Sequence, residues 1–340
     1  MSQRRAELMT AEQLLEDFRA FERTLALRTA IELDLFTRIG AGAGTVAALA
    51  RALRSSECGL RILCDYLTVW GYLTKRGTRY SLPLHARLYL CSSSPIYIGA
   101  AVKFIASDAN VAAFCRLPAT VKKGRAVQKG PADDNIDWVE FARSMACVAR
   151  PVAEFAAAAL VTGEHPLHVL DLAAGHGLYG LAIAERNPGA HVFALDSADV
   201  LREAAGNARR AGLAKRWHAV PGDAFHTAFG GPYDLIVAGN FAHHLDEAEN
   251  VRLFRKSLAA LKPGGRLALI DVVPHADRVS PAFDAAFALH VLATTAHGGI
   301  YTFAVYKRML RAAGFAKVLH LEAGEFPRWI ITARKPALGR

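Results

Sequence analysis

The stretch Leu167 to Gly180, LHVLDLAAGHGLYG, constrains this chain more than any other. Val169-Leu170 reads as an apolar strand that ends at Asp171, and a glycine-rich turn leads from it into an alanine-rich helix. Glycine has no Cβ, so such a turn lets a ligand approach bare backbone. The helix behind it aims free N–H groups at an anion. The turn contains Gly175-x-Gly177-x-x-Gly180, which is also the spacing of a dinucleotide fingerprint. The glycines alone therefore do not fix which cofactor the turn serves.

From residue 167 onward, short apolar segments alternate with helical ones, at 167–171, 191–196, 217–220, 233–238, 266–273 and 327–333. That order predicts an α/β domain, a parallel sheet with helices on both faces. The N-terminal part reads differently. Leu14, Leu15, Phe18, Phe21, Leu25, Leu27 and Ile31 recur near helical spacing and predict a helix over 12–39. Thr45 is a candidate N-cap for a helix Val46–Leu53, and a second helix is expected from Glu57 to Leu73. A hairpin over 74–82, centred on Gly77, follows. Helix, turn, helix, hairpin is the outline of a winged helix. Residues 83–165 read as mainly helical, with a loop over Lys122–Asp137 and a helix Trp138–Leu160 broken at Pro151. The expected divisions are 1–100, 101–165 and 166–340.

A winged helix and a net charge of +10 raise the possibility of a DNA-binding regulator. The charge is not concentrated: Lys and Arg exceed Asp and Glu by four in residues 1–100, by three in 101–150 and by three beyond. That is a mildly basic surface, and the densest cluster, Lys122-Lys123-Gly124-Arg125 to Lys129, reads as a solvated loop. A groove-reading helix should also expose Arg, Lys, Asn or Gln to base edges. The second helix instead carries Leu60, Ile62, Leu63, Cys64, Tyr66, Leu67, Val69, Trp70 and Leu73, with Arg61 its only basic residue. An apolar helical module of this kind predicts a dimerisation surface, with neither nucleic acid nor membrane as partner. No apolar run reaches the roughly 18 residues of a membrane span, and the start of the chain lacks the apolar core of a signal peptide. The five cysteines form no CxxC and sit among apolar neighbours, which predicts reduced core residues in a cytoplasmic protein.

In an open α/β sheet the ligand lies beyond the carboxyl ends of the strands. The candidate cofactor residues at those ends are Asp171, Ala173, Gly175 and Gly177, then Asp196 with Ser197, then Asp223, Ala224 and Phe225, then Asn240. Asp196 can hold ribose hydroxyls, Asp223 can take an adenine amino group, and Phe225 can cover the ring. With Leu261-Lys262-Pro263-Gly264-Gly265, this run resembles the class I S-adenosylmethionine-dependent methyltransferases. Ala173 departs from the family, which usually has glycine there. A dehydrogenase accounts for the glycines only, and no Tyr-x-x-x-Lys pair supports it.

The fourth strand ends in Asn240-Phe241-Ala242-His243-His244-Leu245-Asp246. A strand-end histidine faces the crevice, and its ordinary pKa near 6.5 suits a general base. The alternative is a histidine that only bonds to structure. The whole chain, over 12–335, resembles a narrower family: dimeric small-molecule O-methyltransferases with an N-terminal winged-helix dimerisation domain. That resemblance implies a mostly parallel seven-stranded sheet, S-adenosylmethionine as cofactor, a homodimer, and a hydroxyl of an aromatic secondary metabolite as acceptor. N-, S- and C-methylation are the alternatives. No metal is expected, because adjacent histidines usually diverge and no i, i+4 histidine pair lies on a helix. The resemblance places the base on His243, puts His244 and Leu245 where the family has aspartate and tryptophan, and matches Asp271 to the acid that orients the base. Tyr301 stands where the family has a second acid, after Gly298-Gly299, which makes it a third candidate catalytic residue or else one that shapes the pocket or bonds the substrate. Phe141 and Met145 match residues that contact the acceptor ring, as His244 could, although ordinary helix core explains Phe141 and Met145 as well.

Overall fold

The computed structural model describes residues 9–127, 137–163, 165–322 and 329–337. They divide at Asp108 into two compact units. Among them, no helix is long and apolar enough to cross a membrane.

In the first unit, the helix expected over 12–39 is three: Ala11–Phe18, Ala20–Glu32 and Leu35–Gly40. The second break lies at Asp34, whose backbone is left-handed (φ 56°), a conformation that cannot continue a right-handed helix. Thr10 closes a capping box with Gln13 at the chain's first helix, satisfying two otherwise orphaned donors. The helix Val46–Leu53 begins on Thr45, whose hydroxyl accepts from the Ala48 N–H. The next helix, Glu57–Val69, buries Leu60, Cys64 and Leu67. Antiparallel strands β1 (Thr74–Arg76) and β2 (Arg79–Ser81) follow, joined through Gly77 at φ 57°. Ile62 and Val69 lie on the exposed face of the Glu57–Val69 helix. Its one cation, Arg61, is 3.3 Å from Asp65.

The second unit holds a seven-stranded sheet: β3 (His168–Leu172), β4 (His191–Asp196), β5 (Trp217–Pro221), β6 (Tyr233–Gly239), β7 (Leu261–Asp271), β8 (Ala316–Glu322) and β9 (Trp329–Arg334). Their order is β5-β4-β3-β6-β7-β9-β8. The first five run parallel, and β9 lies antiparallel to both β7 and β8. Alternate residues face opposite ways, so Val169 joins one core layer with Val192, Leu235 and Ala268, while Leu170 joins the other with Leu195, Ile236 and Leu269. Adjacent strands β3 and β6 lead their connections away to opposite sides, which opens a crevice at their carboxyl ends.

Four expectations need correction. The helix Trp138–Leu160 runs unbroken through Pro151. Proline costs about 3 kcal/mol in a helix interior, but Ala149, Val152, Ala153, Ala156, Ala157 and Leu160 are all buried on this helix, and their packing outweighs it. Lys122 and Lys123 are not loop residues. They end the helix Leu117–Lys123, which Gly124 stops at φ 74°; Lys129 lies outside the described residues. Cys58 and Cys115 are exposed rather than core. Strand β8 was not among the six segments read from the apolar pattern, although the resemblance implied a seventh strand; its Leu319 and Leu321 are exposed.

Candidate active site

The turn after β3 is built from left-handed backbone. Ala173, Gly175 and Gly177 have φ of 53°, 55° and 74°. Glycine adopts this region freely, whereas an L-residue pays roughly 1–2 kcal/mol. Ala173 is thus a strained position, not only a slightly narrower one. Two carboxylates hold the turn. Asp171 is fully buried, and its Oδ2 accepts from the Gly180 N–H at 3.0 Å. Burial pushes its carboxyl up to about 7, against the pull of that N–H. Its Oδ1 has no hydrogen-bond partner among the described residues. Asp196, at the end of β4, accepts from Gly175 N at 2.9 Å and from Ser197 N at 2.7 Å. Burial raises its pKa, and the two N–H groups oppose the rise. Ser197 caps the helix Ala198–Arg210.

After β5, the exposed Asp223 accepts from the N–H groups of Phe225 and His226 at 2.8 and 3.0 Å. The Arg252 guanidinium lies 4.5 Å from the Phe225 ring centre. Lys256 bonds the carbonyls of Ala224 and Phe225. Asn240, after β6, is left-handed at φ 52° and donates to the Tyr179 hydroxyl at 3.0 Å.

His243 lies in a single helical turn, Ala242–His244, that follows β6. Buried Asn250 ties this turn down by donating to the carbonyls of Ala242, Leu245 and Asp246. Gly299 N donates to the His243 carbonyl at 3.0 Å. A Cβ at Gly298 would fall onto that same carbonyl oxygen, so glycine is needed there for close approach, while a Cβ at Gly299 would press on the Tyr301 ring. The ring of His243 is buried and its Nδ1 is 2.6 Å from Oδ1 of Asp271, at the end of β7. Oδ1 also accepts from Val272 N at 2.8 Å, and Oδ2 accepts from the Tyr306 hydroxyl at 3.1 Å. Tyr301 does not reach this pair by a hydrogen bond of its own. Its hydroxyl donates to the Leu245 carbonyl at 2.7 Å, and burial pushes its pKa up to about 12.

Rings connect the two ends of the crevice. A Cβ at Gly175 would lie 3.9 Å from Phe141, so Phe141 stands over the glycine turn. Phe141 packs edge-on to Trp138 (5.7 Å between ring centres), Trp138 to His244 (5.3 Å), and His244 lies 4.4 Å from His243. Phe287 approaches His243 edge-on at 5.5 Å and stacks on His290 at 5.1 Å. Burial takes His244 down to about 3 and lowers His290 as well. Met145 is half-buried one helical turn beyond Phe141. Tyr306, Asn250, Trp138, Phe287 and His290 were not singled out in the sequence, since an aromatic or amide on a helix gives no motif. No group of three His, Cys, Asp or Glu among the described residues is placed to hold a metal ion.

Comparison with known proteins places this arrangement. Residues 169–265 match the model of a methyltransferase domain, and residues 15–92 match that of an O-methyltransferase dimerisation domain. A crystal structure from Nostoc punctiforme PCC 73102, described as an O-methyltransferase, is 36% identical with a TM-score of 0.90, over 97% of this chain and 100% of that one. The chain belongs to the S-adenosylmethionine-dependent O-methyltransferases. It is 24% identical to 3-hydroxy-5-methyl-1-naphthoate 3-O-methyltransferase of Streptomyces sahachiroi, over 87% of each chain. It is also 24% identical to an S-adenosyl-L-methionine-dependent methyl transferase of Serratia sp. (strain ATCC 39006), over 96% of this chain and 97% of that one.

The residues at the strand ends suit that cofactor. The side chains predicted there are carboxylates, small residues, an amide and a phenylalanine, with no lysine or arginine among them. Carboxylates repel a pyrophosphate but match a cationic sulfonium cofactor with ribose hydroxyls and an amino group. Asp196 keeps lone pairs beyond its two N–H bonds for such hydroxyls, and the buried Oδ1 of Asp171 is a polar atom still to be matched.

Proposed function

We propose that this methyltransferase modifies a hydroxyl on an aromatic secondary metabolite, with His243 as general base. The observation that carries the reading is the buried His243–Asp271 pair at the ends of β6 and β7, Nδ1 to Oδ1 at 2.6 Å. Asp171, Ala173, Gly175, Gly177, Asp196, Ser197, Asp223, Ala224, Phe225 and Asn240 would hold the cofactor. Bound S-adenosylmethionine supplies a methyl group on a sulfonium centre, open to in-line displacement.

The chain's own residues supply the proton chemistry. Asp271 accepts from Nδ1 of His243 and so fixes the tautomer that leaves Nε2 a lone pair. As the acceptor hydroxyl attacks, Nε2 takes its proton, and Asp271 stabilises the imidazolium that forms. A phenol titrates near 10, so removing its proton during attack raises nucleophilicity where it is needed. Phe141, Met145 and His244 would hold the acceptor ring, and their apolar, uncharged surroundings keep water from the reacting atoms. Tyr301, engaged by Leu245, supports the histidine turn and does not replace the family's second acid.

The naphthoate O-methyltransferase similarity supports an aromatic hydroxyl as acceptor. The match to a dimerisation domain, with Leu14, Leu15, Phe18, Phe21 and Leu25 exposed on the first two helices, supports a homodimer. A labelled-methyl assay against a panel of phenols, amines and thiols tests the acceptor. Label released with phenols as a methyl ether is the expected result. Label found only on nitrogen, sulfur or ring carbon would overturn the oxygen acceptor.

A further inference from the structure

The carboxylate that orients His243 is gripped on both of its oxygens. Oδ1 takes His243 Nδ1 and the Val272 N–H, and Oδ2 takes the Tyr306 hydroxyl at 3.1 Å. Tyr306 is fully buried on the helix Phe303–Ala312 and packs edge-on to Tyr301, 5.6 Å between ring centres. The position where a second acid is expected in this family holds Tyr301, and its hydroxyl is spent on Leu245. The side chain that meets Oδ2 of Asp271 therefore comes five residues later, and it is a neutral donor instead of an anion.

We propose that Tyr306 is a positioning residue for His243: by donating to Oδ2 of Asp271 it fixes the plane of the carboxylate and sets how strongly His243 holds its proton. A second acid beside the histidine would add negative charge and favour the imidazolium. A phenol on the far oxygen does the opposite. It draws charge away from Asp271 and weakens the field that stabilises the protonated ring. Burial raises the Tyr306 hydroxyl well above its ordinary range, so it stays a donor throughout. Titratable groups that face the pair among the described residues include His244 on the same turn, His290 on the helix Ala282–Thr294, and Tyr301. Burial holds both histidines below the usual imidazole range.

The proposal rests on the reading of His243 as base for its catalytic meaning, so the experiment reads the ring itself. NMR of isotope-labelled histidine rings in the full chain, with saturating S-adenosylhomocysteine, gives the titration midpoint of His243, assigned by its loss in His243→Gln. Tyr306→Phe keeps the ring and removes only the donor. It should raise the midpoint by about half a unit or more, and move the acid limb of the kcat–pH profile to higher pH with it. In an Asp271→Asn background the same substitution should produce no further shift. A fluorinated tyrosine at position 306, a stronger donor in a chain otherwise unchanged, should lower the midpoint, and this arm stands even if the Phe variant does not fold. An unmoved midpoint in the variants that fold, or a shift that persists in Asp271→Asn, would overturn the proposal. Full turnover in His243→Gln would instead remove the base reading and leave the titration result to decide on Tyr306.

Discussion

At the β3–β4 end of the crevice the polar partners are mostly backbone: Gly175, Gly180 and Ser197 offer N–H groups to Asp171 and Asp196. At the β6–β7 end they are largely side chains, with His243, Asp271 and Tyr306 arriving from three elements far apart in sequence. The difference lies in what each end must do. The first has to fit a shape, and a turn of fixed φ does that with little side-chain chemistry. The second, in the proposed reaction, has to move a proton, which needs particular nitrogen and oxygen atoms at hydrogen-bond distance. The first end should therefore answer to substitution in affinity and stability, and the second in turnover.

The largest effect separates the two most cleanly. His243→Ala should lower turnover by about 10²–10⁴-fold, the usual worth of a general base, with S-adenosylhomocysteine affinity by calorimetry nearly unchanged. Retained turnover would mean that catalysis is by proximity alone. Next, Asp196→Ala should weaken S-adenosylhomocysteine by about 10–100-fold, as expected for lost hydrogen bonds to a charged group. Turnover at saturating cofactor should fall far less. An affinity equal to wild type would take Asp196 out of the cofactor site.

A third test uses pH. The Asp171 carboxyl sits near 7 when folded, above its ordinary 3.8. The folded chain keeps a proton that the unfolded chain releases, so this group's contribution to stability is full below about pH 4 and is lost as the pH rises through about 7. Asp171→Asn should flatten that decline in thermal unfolding followed against pH, whereas parallel curves for variant and wild type would refute it. The smallest effect is at Ala173. Glycine there relieves left-handed strain but loosens the unfolded chain, so Ala173→Gly should stabilise by about 0.5 kcal/mol. A loss of stability in chemical denaturation would show that the alanine methyl is a contact the turn needs.

The same contrast governs how much could be read before the fold was known. The turn from Asp171 to Gly177, the acid at Asp196 and the run Asp223-Ala224-Phe225 are each contiguous, and each follows an apolar strand, so sequence order placed them at one end of the sheet. The His243–Asp271 pairing came only through resemblance, since nothing local links residues 28 positions apart. Tyr306 was invisible because a buried tyrosine on an amphipathic helix looks like any core aromatic. Backbone sign was equally hidden: Ala173, Asp34 and Asn240 take positive φ that their side chains do not announce. Helix continuity through Pro151 was decided by packing across the helix, which outweighs the residue's own preference. Strand β8, at the sheet edge, has apolar side chains on its exposed face and so shows no buried run.

Gly298 and Gly299 carry a consequence for how acceptor choice can change. Their backbone lies against the His243 carbonyl, and even a methyl at Gly298 would strike it. That loop is closed to variation at Gly298 without moving His243. Trp138, Phe141 and Phe287 pack against other rings, Phe141 also standing over Gly175, so a substitution there repacks side chains and not the backbone of the histidine turn. Divergence toward new acceptors, in nature or in a designed library, has its room on the two helices that bear those rings, while the glycine pair works as a fixed datum against which every new pocket must be measured.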